Sequence, residues 1–151
     1  MARPTEPDQL DASIIHMIHR ASQCAADAFQ SEVGEFDLTP RQLAVLRTVA
    51  ANDEASQTRI VELTGIDRST LADIMRRMIK KGLLQRKRTK EDARAYAVRL
   101  TEAGRALLRK ATPASERVDS QVLDALPVAR RETFMRDLER LVAELGKAAT
   151  V

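Results

Sequence analysis

Two features are scarce in this 151-residue chain: it has a single cysteine and no long apolar run. A lone Cys24 cannot close an internal disulfide, which agrees with a reducing compartment. No stretch approaches the roughly 20 apolar residues of a membrane span. The opening MARPTEPDQLD lacks the apolar centre of a secretory signal, so the expectation is a cytoplasmic protein with no membrane association. A glycine-rich phosphate loop, an internal repeat and a low-complexity tract are also missing. His16 and His19, with the one cysteine, supply no nucleophile, metal or cofactor set. Zinc held by His16, His19 and Asp11 would need a closed ligand set that the spacing does not provide. The sequence therefore reads as a non-enzyme without a cofactor.

What is present is charge, unevenly placed. Apolar residues make up 44% and charged residues 31%, ordinary for one soluble domain with a real core. The net charge is only +3, yet residues 68–99 hold eleven Lys/Arg against Asp73, Glu91 and Asp92. That segment is +8, which leaves −5 for the rest of the chain. A basic block in an otherwise acidic protein suggests a face made for a polyanion.

The periodicity predicts helices joined by short connections. Leu10, Ile14, Met17, Ile18, Ala21, Ala25, Ala28 and Phe29 repeat at helical spacing over residues 10–33. Thr39-Pro40-Arg41-Gln42 reads as a capping box with proline at the first helical position, and Leu43, Leu46 and Val49/Ala50 form the inner face of the helix it opens. Ser56 caps QTRIVELT, Gly65 stops it, and Asp67 caps RSTLADIMRRMIKK after one intervening residue. So tight a joint implies a steep crossing, as in a helix-turn-helix. LLQRKR and AYAVRL then alternate in the period of strands around TKEDAR, giving a β-hairpin, or wing. Thr101 opens a long helix that Pro113 should bend or break near residues 110–113, and Pro127 restarts the chain into a last helix. The expected class is mainly α, a winged helix-turn-helix in the order α-α-α-α-β-β-α-α.

In the second helix of the pair, Leu71, Ile74, Met75 and Met78 fall on one stripe and should face the core. Arg68, Ser69, Thr70, Asp73, Arg76 and Arg77 fall on the remaining surface. The early residues of a recognition helix point into the major groove of double-stranded DNA. Hydroxyls on Ser69 and Thr70 suit base or phosphate contacts, Asp73 could accept from cytosine N4, and Arg76 could read guanine or phosphate. The wing adds Arg88, Lys90 and Arg94. Its tip would meet the minor groove, whose negative potential attracts an inserted arginine, and Arg94 is the candidate. A mobile arginine would lose up to about 2 kcal/mol of side-chain entropy on inserting. Asp92 can hold it, or a neighbouring basic group, in place.

These stretches resemble the MarR family of bacterial winged-helix regulators. The wing GLLQRKRTKEDARAYAVRLTEAGR carries the family's DxR motif at Asp92-Ala93-Arg94, followed by LTEAGR at 100–105. LTPRQLAVLRTVA and TGIDRSTLADIMRRMIKKGLL are similar to its second helix and helix-turn-helix. The resemblance implies one MarR-like domain over 1–151, with the winged lobe at 39–100 and dimerisation helices at 10–33 and 102–149. It also implies a homodimer on a palindromic operator, and repression relieved by a small ligand in a cleft between the two parts. Asp73 departs from the family pattern, standing where Arg or Asn is frequent.

The first helix carries a polar stripe of His16, Arg20, Gln23 and Asp27, flanked by His19 and Ser22. IHMIHRASQ with LTPRQ resembles the branch that senses aromatic carboxylic acids or their coenzyme A thioesters. His16, His19, Arg20 and Gln23 are the expected ligand residues, since an anion would want a cation and histidine can hydrogen-bond a carboxylate. Two alternatives stand beside this reading: redox sensing through Cys24, which the single tyrosine, Tyr96, does little to support, and a winged-helix module that binds protein, against which the +8 segment argues.

Overall fold

A computed structural model describes residues 12–89 and 96–148. Helices begin where the capping side chains put them, and the first starts at Ile14 and not at Leu10 as its apolar repeat suggested, because extended Ser13 accepts from the His16 amide. Ser13 caps α1 (Ile14–Val33) and Thr39 caps α2 (Pro40–Ala51), where the reciprocal bonds with Gln42 measure 3.2 and 3.1 Å. Ser56 caps α3 (Gln57–Thr64), Asp67 caps α4 (Arg68–Lys80) and Thr101 caps α5 (Glu102–Asp124). The last helix, α6, spans Val128–Ala148. Gly65 adopts φ +69°, a left-handed turn that lets α4 follow α3 after three residues.

Three antiparallel strands, β1 (Ala55–Ser56), β2 (Leu84–Arg88) and β3 (Tyr96–Leu100), form a sheet in the order β1-β3-β2. β1 was not expected, because two residues offer no alternation to read. It exists through its partner, Ala55 pairing with Val98 and Ser56 with Ala97. The alternation expected of β2 fails after Leu84: Gln85, Arg86, Lys87 and Arg88 are all exposed. β2 lies at the sheet edge, where charged side chains are tolerated on both faces and discourage pairing with another chain. Central β3 buries Ala97, Val98 and Leu100.

The core gathers one face of each element of the lobe. Leu71, Ile74, Met75 and Met78 of α4 are buried, as their spacing predicts. On α2 the buried set is Leu43, Val45, Leu46 and Val49, whereas Ala50 is exposed. The correction has a packing cause: α2 lies against α3, α5 and β3 together, so its covered arc turns to include Val45. Gly104 sits where any Cβ would come 2.1 Å from the Leu83 carbonyl oxygen, so α5 can press on the root of the wing only with glycine there.

Pro113 does not break α5, which runs unbroken from Glu102 to Asp124. The proline lies on the exposed side, while Ala111, Ala114, Ser115 and Val118 are buried around it. Packing of that face outweighs the roughly 3 kcal/mol that an internal proline costs. Phe29 and Val33 bury the end of α1, but Ile14, Met17 and Ile18 of the same stripe remain exposed. Phe134, Leu138, Leu141 and Leu145 of α6 are exposed as well, and no described element packs closely along that helix. No helix among the described residues is long and apolar enough to cross a membrane.

Candidate nucleic-acid interface

Recognition helix and wing stand side by side because the chain turns from one into the other without a linker. Gly82, at φ +72°, reverses the chain, and the Leu83 amide returns to the Met78 carbonyl at 2.9 Å. With its apolar stripe fixed inward, α4 presents Arg68, Ser69, Arg76 and Arg77 to solvent and keeps Thr70 and Asp73 half-buried. A concavity of about 470 Å³ between α4 and β2 is lined by Ser69, Ala72, Asp73, Arg76, Ile79 and Arg86. Folding thus brings Ser69, Asp73 and Arg76 together with Arg86, which the sequence marked only as one of many cations.

At the start of α4, Asp67 Oδ1 accepts from the Thr70 amide and the Ser69 hydroxyl, both at 2.9 Å. Hydrogen bonds from the Thr70 side chain, then its amide, then Ser69 hold the carboxyl at about 2, down from 3.8. The two hydroxyls expected to meet DNA therefore serve the helix cap in the free protein. Because the folded value lies below the unfolded one, the ionised cap stabilises the fold above about pH 4 and loses that contribution as pH falls through about 2. Asp67→Asn keeps an acceptor but cannot ionise. The stability gap between wild type and this variant should narrow steadily from pH 4 to pH 2 in thermal melts. A gap that does not vary with pH would refute the ionised cap.

Asp73 is paired within its own helix, to Arg76 and to Arg77, the latter at 2.9 Å. On the wing, the Arg88 guanidinium lies 5.9 Å from the centre of the Tyr96 ring, its cross-strand neighbour, a cation–π geometry that orders the side chain. Lys90, Asp92 and Arg94 lie outside the described residues. Sequence reasoning missed Arg99. From β3 it pairs with Glu54 and, at 3.7 Å, with Asp53, tying the wing to the turn before β1. The available signal was a lone arginine in a strand that is otherwise apolar, beside two adjacent acids in a turn.

The expected ligand residues occupy the N-terminal half of α1. His16 is half-buried, and His19, Arg20 and Gln23 are exposed. Gln23 donates to Asp27 at 2.9 Å, and Cys24 is exposed. A cavity of about 590 Å³ opens near the other end of α1, lined by residues that include Gln30, Gln42, Arg77, Lys80 and Lys81. None of the four expected residues lines it. Among the described residues no three metal-ligating side chains come together.

The MarR family profile matches residues 36–95, from the turn before α2 into the wing. The transcriptional regulator HosA of Escherichia coli O127:H6 is 30% identical over 127 residues, 84% of this chain and 93% of that protein. Among solved structures, Bordetella bronchiseptica BpsR, whose DNA binding is regulated by 6-hydroxynicotinic acid, is 27% identical with a TM-score of 0.78, covering 85% of this chain and 97% of that one. The transcriptional repressor CouR, bound to a 23-mer DNA duplex, is 26% identical with a TM-score of 0.83, covering 93% and 99%.

Proposed function

The chain belongs to the MarR family of DNA-binding transcriptional regulators, which are not enzymes, and on that footing we propose that it is a homodimeric repressor released from a palindromic operator by an aromatic carboxylic acid or its coenzyme A thioester. The winged lobe, residues 39–100, reads the DNA, and residues 10–33 and 102–149 join the two protomers. Arg68, Ser69, Thr70, Asp73, Arg76 and Arg77 of α4 meet the major groove. Arg88, Lys90, Asp92 and Arg94 of the wing serve the flanking backbone and minor groove. The observation that carries the DNA reading is the set of exposed cations on α4 and β2, two elements that adjoin at a concavity lined by Arg76 and Arg86.

For the effector, the support is BpsR, a neighbour regulated by a hydroxylated aromatic acid. In this chain His16, His19, Arg20 and Gln23 sit beside Ile14, Ile15, Met17 and Ile18, which the single chain leaves exposed. Polar anchors beside open apolar surface suit an aromatic anion once a second protomer closes over them. The ligand can weaken DNA binding only by preferring a lobe arrangement that misfits the operator. A gel shift with a panel of aryl acids and aryl thioesters tests this. At least one compound should weaken operator binding by about 5- to 150-fold, a usual range of allosteric coupling. Arg20→Ala should still bind the operator but lose the response. Release by no compound would refute the ligand class, and an unchanged response in the variant would clear Arg20.

A further inference from the structure

One carboxylate on the exposed side of α4 holds two arginines at once. Asp73 takes Arg76 on Oδ1 and Arg77 Nε on Oδ2 at 2.9 Å, and the two arginine side chains stay 76% and 67% exposed. They diverge from that shared acid. Arg76 lines the concavity with Ser69 and Arg86 on the wing side, while Arg77 lines the cavity with Lys80 and Lys81 on the other.

We propose that Asp73 is a specificity-determining residue that restrains Arg76 and Arg77 from binding DNA of arbitrary sequence. The inference rests on the DNA-binding reading above and goes past it. A guanidinium that lets go of Asp73 for a phosphate trades one anionic acceptor for another, and one that keeps its hold draws the carboxylate toward a second anion. Asp73 is also left facing phosphates, all acceptors like itself. A G·C pair is different, because in the major groove it presents the O6 and N7 acceptors of guanine beside the N4 donor of cytosine. A guanidinium has five N–H donors, so Arg76 can reach guanine while still holding Asp73, which accepts from cytosine. The pair as a unit therefore matches one base-pair edge and mismatches the backbone. Penalising the wrong partner is as effective for discrimination as favouring the right one.

The test uses the full chain and begins with selection of bound duplexes from a random library, followed by dissociation constants for the selected duplex and an unrelated one at fixed salt. With Asp73→Asn, binding to the unrelated duplex should tighten about three- to fivefold, the size of two exposed helical ion pairs. Binding to the selected duplex should not tighten, so the specificity ratio falls. In an Arg76→Gln/Arg77→Gln background the same change should tighten the unrelated duplex by clearly less, since the side chains that Asp73 restrains are gone. Equal tightening on both duplexes would overturn the proposal, as would an undiminished effect in the double-arginine background. So would weaker binding to the selected duplex with no change on the unrelated one. A wild type that enriches no duplex would instead overturn the DNA-binding reading on which the inference stands.

Discussion

Raising the salt concentration from 50 to 200 mM should weaken operator binding about a thousandfold. The expectation comes from counting exposed cations on the two elements proposed to meet DNA. Arg68, Arg76 and Arg77 on α4 and Arg86, Lys87 and Arg88 on β2 are all exposed in each protomer. If half of these meet phosphates, a dimer neutralises about six, and each contact releases condensed counterions whose entropy gain shrinks as bulk salt rises. Filter binding or fluorescence anisotropy on a selected duplex gives the slope directly. Two-fold symmetry further requires protected half-sites about 10 bp apart, centre to centre, on the duplex. A slope close to zero, or a single unsymmetric footprint, would remove these two elements from the role assigned to them.

Leu138→Arg combined with Leu141→Arg should abolish the dimer, and operator binding with it. In the single chain these leucines are 41% and 46% exposed, so about half of each side chain remains to be covered by a partner. At about 2 kcal/mol for a fully buried leucine, each contributes about 1 kcal/mol, and two leucines in two protomers give about 4 kcal/mol. That alone is roughly a thousandfold in the dimer dissociation constant. Burying arginine charges without partners adds a further cost on top. Light scattering should find wild type at twice the 16.8 kDa of one chain and the variant either at 16.8 kDa or without cooperative unfolding, because such dimers often lack a stable monomer. A wild type that is a well-folded monomer at micromolar concentration would refute the dimer, and a variant that remains dimeric would place the interface elsewhere.

Almost every helix boundary was legible because its cause is local. Thr39, Ser56, Asp67 and Thr101 each satisfy an amide within three residues of themselves, and Gly65 and Gly82 allow a backbone conformation that costs other residues more. The same holds for the inward stripe of α4, which follows from the helical period, and for the cations that period leaves outside. Residues far apart in sequence decided the rest. β1 forms because β3 lies beside it, α5 continues through Pro113 because its buried face is held, and Val45 replaces Ala50 in the core because three elements enclose α2. Arg99 reaches Glu54 across 45 residues, a pairing no local pattern encodes. Asp73 lies between these cases. Its spacing to Arg76 and Arg77, and the side of α4 that the three share, were open to view in the sequence, but only the tertiary structure set the arginines into separate hollows. Local chemistry fixes where helices start and stop, since capping needs only neighbouring atoms. Which face is covered, and which charges meet, depends on distant surfaces brought together, and that only the tertiary structure decides.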